Sequence, residues 1–215
     1  VEFSENSELN VICRNAFSDT SIISMSIPST VFSIGNCAFK NCTKLKTVEF
    51  SEHSNIQYIS ESPFQFSSIE NLSIPDNLNI INHFFSGTPK LININLFSNR
   101  SNFDQDEKTY INIMCENQFI LSKTSSDTDF NVFLFAKRDI KEIKIPPFIK
   151  VISFSAFEDC TKLESVDFSE SKVQLICNNS FSKSMIKSIT IPDETIRICE
   201  YSFSGCYLLE TVEFS

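Results

Sequence analysis

Hydrophobic positions in this chain fall into one repeated phrase: Ile-Pro, an aliphatic, Ile, Phe, Cys, Leu, Val and Phe, with polar residues between them. Phe17, Phe39, Phe64, Phe85, Phe119, Phe157, Phe181 and Phe203 hold the same place in successive copies, and five of the seven gaps between them are 22, 25, 21, 24 and 22 residues. A short, constant period describes stacked coils around one long core rather than a globule with a single pocket.

Each copy predicts the same elements. In LKTVEF (45–50) and IKSITI (186–191) the expected inward sets are Leu45, Val48, Phe50 and Ile186, Ile189, Ile191. The last two of each set are two apart, as a strand requires. Pro28, Pro75, Pro146 and Pro192 end the strand and start a turn, since proline cannot donate to a ladder. The aliphatic-x-x-Ile step then opens a short return strand. The Ala-Phe or Ser-Phe segment is expected to make a short helical turn that drops Phe into the core. Ile22, Ile69 and Ile186 follow the Phe by five residues, whereas Leu45, Leu163 and Leu209 follow by six, so two coil types alternate.

Two stretches break the rhythm. The gaps on either side of Phe119 widen to 34 and 38 residues, and they hold the polar segments 99–109 and 121–129. NVFLF (131–135) is apolar and predicts an extra strand or a worn coil. The expected division is a repeat block over 1–98, an irregular coil with loop insertions over 99–139, and a second block over 140–215 of one continuous solenoid. VEFS opens the chain at 1–4 and closes it at 212–215, and this phase match predicts a fragment of a longer array.

Composition changes the picture in two ways. The chain holds 22 Phe and no Trp, with only 3 Gly, so one flat aromatic fills the interior. The formal net charge is −9 and no run of Lys or Arg occurs. Counterion release needs clustered cations, so nucleic acid and anionic membranes are not expected partners. No apolar stretch is long enough to insert in a membrane.

The copies IPSTVFSIGNCAFKNCTKLKTVEFS (27–51), IPPFIKVISFSAFEDCTKLESVDFS (145–169) and IPDETIRICEYSFSGCYLLETVEFS (191–215) carry I-P-x-x-aliphatic-x-x-I followed by [AS]-F-x-x-C-x-x-L. They resemble the BspA-like, or Treponema-pallidum-type, leucine-rich repeats. The S-F-S-x-S copies and VFLFAKRDIKEIKIP resemble the protist surface-antigen branch of that family. The resemblance implies a β-rich leucine-rich-repeat solenoid with parallel β-strands on one face, and with short return strands and helical turns on the other. It also implies a cell-surface or extracellular location, adhesion or partner binding, and no catalytic residues. Pro63 and Phe84 depart from the family pattern by standing where Ala or Ser precedes Phe.

The candidate chemistry is weighed against packing. Cys42, Cys160 and Cys206 lie three residues after a core Phe, and Cys13, Cys115, Cys177 and Cys199 each follow the Ile or Met of a return strand. A repeated slot suits a small buried thiol. Cys177 and Cys199 fall on neighbouring coils, where either free thiols or a disulfide would fit. No C-x-x-C or H-x-x-x-H spacing supports a metal, and no cofactor is called for. With only His53 and His83 as imidazoles, no nucleophile–base pair stands out and the chain does not read as an enzyme.

What remains is the outward strand face. One column reads Lys46, Glu70, Ile92, then Lys141, Glu164, Lys187 and Glu210, and a second reads Glu49, Ser73, Asn95, then Lys144, Asp167, Thr190 and Glu213. Alternating charges in the first column are expected to pair across strands. Sequons occur at Asn41, Asn71, Asn99 and Asn178, and the loop residue Asn99 is the candidate glycosylation site. The reading is a surface-displayed module binding a protein or glycan. Its alternative is an intracellular or structural scaffold, which eight cysteines in a reducing compartment would suit.

Overall fold

The computed structural model describes residues 3, 7–51, 53–76, 78, 80, 83–98, 113–116, 118–123 and 129–215. The chain divides into two compact units, Val1–Cys115 and Glu116–Ser215.

In the first unit each coil contributes one short strand and one longer strand. The short strands β1 (Val11–Ile12), β3 (Ser33–Ile34) and β5 (Tyr58–Ile59) form a parallel sheet in that order. The longer strands β2 (Ser24–Ile27), β4 (Thr47–Phe50), β6 (Asn71–Pro75) and β7 (Asn93–Phe97) form a second parallel sheet. A further strand, β8 (Ile113–Cys115), lies beside β7. Along β2 and β4 exposed and buried residues alternate, and the predicted inward residues Leu45, Val48 and Phe50 are buried.

The second unit repeats this plan. Face strand β11 (Glu142–Lys144) pairs in parallel with β13 (Ser165–Asp167), and β15 (Ser188–Ile191) with β17 (Thr211–Phe214). Return strands β10 (Val132–Ala136), β12 (Val151–Ile152), β14 (Leu175–Ile176) and β16 (Arg197–Ile198) are parallel. One strand breaks the rule: β9 (Phe119–Ser122) runs antiparallel to β10, with an irregularity between Phe133 and Phe135. Each unit is thus a stretch of β-solenoid.

The segments expected as helical turns are not helices. Around Phe17, Phe39, Phe64, Phe85, Phe157, Phe181 and Phe203 the backbone enters the left-handed region twice, two residues before the Phe and two after. The pairs are Asn15/Asp19, Cys37/Asn41, Ser62/Phe66, His83/Gly87, Ser155/Asp159, Asn179/Lys183 and Tyr201/Gly205, all with φ between 50° and 72°. Hydrogen bonds alternate along this ribbon. Asn15, Phe17 and Asp19 donate their N–H groups to Asn36, Ala38 and Lys40 of the next coil, while Ala16 and Ser18 donate back three residues within the turn. Phe157 and Asp159 donate likewise to Ser180 and Ser182. A helix would direct every N–H along its own axis; here every second one ties two coils together.

This pattern explains the departure at Pro63. The residue before the Phe, such as Ala16, uses its N–H only within the turn. Proline there loses one local bond and none between coils, and the Pro63 carbonyl still accepts from Phe39 at 2.8 Å. The longer coils carry one more tight turn, in which Leu45 donates back to Cys42 and Leu163 to Cys160, and this is the extra residue before the strand.

The Phe rings form the core of each unit. Phe17, Phe39 and Phe64 stack at 5.4 and 5.5 Å between centroids. Phe84 then meets Phe64 edge-on at 6.1 Å, and Phe85 packs edge-on against Phe84. In the second unit Phe133, Phe157, Phe181 and Phe203 stack at 4.8, 4.7 and 5.1 Å. Phe133, on β10, holds the place beside Phe157 that the repeated phrase assigns to Phe119, and its distance of 24 residues from Phe157 matches the repeat period. Phe119 lies on β9, half-buried, with its ring tilted against Phe133 at 5.0 Å. The extra chain around Phe119 supplies a two-stranded insertion, and the apolar run at 131–135 is its buried strand.

Candidate binding face

The parallel register of the face strands decides which side chains meet. In the first unit Ser24, Thr47, Asn71 and Asn93 form one file, and Ser26, Glu49, Ser73 and Asn95 form the next. Parallel neighbours sit about 4.8 Å apart, so short polar side chains reach one another. Asn93 donates from Nδ2 to Asn71 Oδ1 at 2.7 Å, and Asn95 donates from Nδ2 to Ser73 Oγ at 3.2 Å. Beside these files Lys46 and Glu70 form the expected ion pair.

The second unit presents a more charged face. Glu142 pairs in register with Ser165, Lys144 with Asp167, Ser188 with Thr211 and Thr190 with Glu213. Lys141, Glu164, Lys187 and Glu210 are all exposed, and no ion pair joins them among the described residues. Lys144 Nζ turns to Glu170 at 3.0 Å. Asp167 Oδ1 accepts from the Ser169 N–H at 2.8 Å, and hydrogen bonds from Ser169 hold its carboxyl below the usual carboxylate range. An open groove of about 480 Å³ lies above β13 and β15, lined by Asp167, Glu170, Thr190, Asp193 and Glu194 among others. The repeat pattern does not reveal it, because turns that are apart in sequence build it.

The cysteine slot is a built hydrogen-bond site. The Cys42 thiol donates to the Phe17 carbonyl at 3.0 Å, and the Cys206 thiol to the Phe181 carbonyl at the same distance. Thr20 and Ser184, which hold the same slot in shorter coils, contact these sulfurs at 3.4 Å. Burial pushes the thiols of Cys160, Cys177 and Cys206 up, Cys177 to about 12, so they stay protonated at neutral pH. All eight cysteines are unbridged. His53 is exposed, and His83 forms a left-handed corner whose carbonyl accepts from Ser62 N–H. Among the described residues no cluster of three His, Cys, Asp or Glu is placed to hold a metal ion, and no helix is long and apolar enough to cross a membrane.

Sequence reasoning missed Arg138. It is buried, its guanidinium lies 4.4 Å from the Phe135 ring centroid, and it donates to the carbonyls of Ser155 at 3.1 Å and Ala156 at 3.0 Å. It sits in the coil that lacks the two-corner turn, where the Ala136 N–H still donates to the Ala156 carbonyl at 2.9 Å and the long side chain adds bonds to the next coil's carbonyls. Of the sequons, Asn41 directs Nδ2 to Asp19 Oδ1 at 2.9 Å, Asn71 lies within β6, and the Asn178 sequon ends on the fully buried Ser180. Asn99 lies outside the described residues.

The model of the BspA type leucine rich repeat region matches residues 7–124 and 128–215 in six copies. The chain belongs to this family. Two solved structures share its fold. One is a leucine-rich repeat protein from Eubacterium ventriosum, 20% identical with a TM-score of 0.72, aligned over 97% of this chain and 58% of that one. The other is the pneumococcal vaccine antigen PcpA, 19% identical with a TM-score of 0.72, aligned over 99% of this chain and 56% of that one. The chain therefore spans less than two thirds of either. No curated protein sequence matches it significantly. In this chain the strand face carries polar residues such as Glu49, Ser73 and Asn95, while Phe39, Cys42, Leu45, Phe157, Cys160 and Leu163 are buried.

Proposed function

We propose that this chain is a non-catalytic binding module displayed at a cell surface, and that its outward strand face takes a protein or glycan partner. The observation that carries the reading is the paired file of uncharged donors and acceptors on the first unit, Asn71 with Asn93 and Ser73 with Asn95. These side chains are ordered by one another, so a partner that binds them meets groups whose rotamer freedom is already restricted. The repeat spacing presents them as a lattice suited to many weak polar contacts rather than one deep pocket. The description of PcpA as a vaccine antigen fits surface display. The protist surface-antigen assignment rests on the SFS-type copies and the VFLFAKRDIKEIKIP phrase alone.

Binding to a printed glycan array and to immobilised extracellular-matrix proteins tests this. The expected result is a reproducible ligand whose affinity falls at least tenfold when Asn71 and Asn93 are both replaced by Arg, with the fold retained by circular dichroism. Equal binding by the variant, or no binding to any probe, overturns it. One observation favours a second reading as an intracellular scaffold: the carbonyl-bonded thiols of Cys42 and Cys206 need no oxidising compartment. Labelling of intact cells with an impermeant reagent separates the two readings.

A further inference from the structure

One position recurs on the return side, directly after the Ile of each short strand. Its occupant donates its N–H to the preceding coil: Gly35 to Ile12, Ser60 to Ile34, Ser153 to Phe133, Cys177 to Ile152 and Cys199 to Ile176. Cys177 and Cys199 are consecutive in this column. The parallel pairing of Ile176 with Ile198 places them side by side, each N–H bond being 2.9 Å long. Parallel neighbours are about 4.8 Å apart at Cα, within the 4.4–6.8 Å span that a disulfide bridges. No other cysteine has this arrangement. Cys13 faces Gly35, where a Cβ would lie 2.5 Å from the Arg14 nitrogen, and Cys42, Cys160 and Cys206 adjoin hydroxyl or backbone groups.

We propose that Cys177 and Cys199 form an oxidation-closed staple that ties together the two neighbouring coils that carry them. The inference does not depend on the binding reading above. Cys199 is half-exposed, so it is the attacking thiol, whereas Cys177 is 4% exposed and resolves. The oxidant is a small disulfide such as glutathione disulfide. The Cys199 thiolate attacks one of its sulfurs, forming a mixed disulfide and releasing one glutathione thiolate. Cys177, giving up its proton, then attacks Cys199 Sγ and expels the second glutathione. Two protein thiols become one disulfide and one glutathione disulfide becomes two glutathiones. Burial pushes Cys177 up to about 12, so it does not compete for the first attack, and its own attack on the mixed disulfide is the slow step.

The test treats the full chain with glutathione disulfide under native conditions, blocks free thiols, and digests with trypsin. A cross-linked pair of peptides, Val173–Lys183 with Ile198–Ser215, is expected about 2 Da below the sum of the reduced masses plus one blocking group on Cys206, with fragmentation assigning the bridge to Cys199. Amide exchange over 197–214 should slow at least tenfold. Cys199→Ser should abolish both effects and Cys206→Ser should retain them. A glutathione that stays on Cys199, a bridge to Cys206, or a cross-link that leaves exchange unchanged overturns the proposal.

Discussion

Phe157 and Phe133 do the same work by different routes. Both rings are fully buried, and they stack on each other at 4.8 Å. Phe157 is delivered by a turn with two left-handed corners, at Ser155 and Asp159. Phe133 is delivered by β10, whose five residues are all buried and whose other edge is paired antiparallel. The stack therefore fixes where a ring must be, and the backbone is free to reach that place by a turn or by a strand. The strand route keeps the inter-coil bond from the Ala136 N–H to the Ala156 carbonyl at 2.9 Å, and Arg138 adds guanidinium bonds to the carbonyls of Ser155 and Ala156.

The largest test of that equivalence is at the rings. Phe157→Ala and Phe133→Ala should each lower the unfolding free energy by about 3–5 kcal/mol, the usual cost of truncating a buried Phe. Phe119→Ala, at a half-buried ring, should cost well under half as much. Urea denaturation of the three variants decides this, and a mild Phe133→Ala would break the comparison. Next comes the added donor. Arg138→Ala leaves the Ser155 carbonyl without its guanidinium partner, and a loss of about 2–3 kcal/mol is expected. Arg138→Lys should recover little, because an ammonium lacks the planar fork that serves two carbonyls at once.

A third test separates the two routes by backbone conformation. Gly205→Ala, at φ 72°, should destabilise by about 1 kcal/mol, and Lys183→Gly at φ 58° should gain about 0.5 kcal/mol. Ala136→Gly in β10 should instead lose about 1 kcal/mol, since an extended residue gains nothing from glycine. Thermal melts give all three signs. The smallest effect concerns Asp159, whose carboxyl burial raises above the ordinary range despite Lys183 at 3.9 Å. The folded state holds that proton more tightly than the unfolded one. Stability is therefore lost as pH rises from the ordinary carboxylate range through the raised folded value. Asp159→Asn should melt about 1–2 °C higher at neutral pH, and the gap should close on acidification.

Much of this was legible in the repeat. The inward positions Leu45, Val48, Phe50, Ile186, Ile189 and Ile191 are buried as their spacing requires. The cysteine slot also reads through, because a small residue recurs wherever a carbonyl of the previous coil needs a donor. The two-corner turn was not legible. Its left-handed positions hold Cys37, Phe66, Tyr201 and Lys183 as well as Asn, Asp and Gly, so no residue type marks them. The inter-coil bonds, not local preference, impose the conformation. Phe119 was misplaced for a related reason: Phe133 lies at the repeat period, 24 residues before Phe157, but in a strand rather than in the turn phrase that marks the other rings. On the strand face, the sign pattern anticipated Lys46 with Glu70 but not the turn of Lys144 toward Glu170, which belongs to a rim the repeat does not encode.

The alternate donation of N–H groups from one coil to the next has a mechanical meaning. Within the second unit, the bonds from Phe157 to Ser180 and from Phe181 to Ser202 point from coil to coil, as do the ring stacks. A load applied along that direction pulls on each junction in series rather than shearing many bonds together. Such a unit lengthens by shedding one coil at a time, each step releasing some two dozen residues of slack, and so limits the peak force carried along the stack.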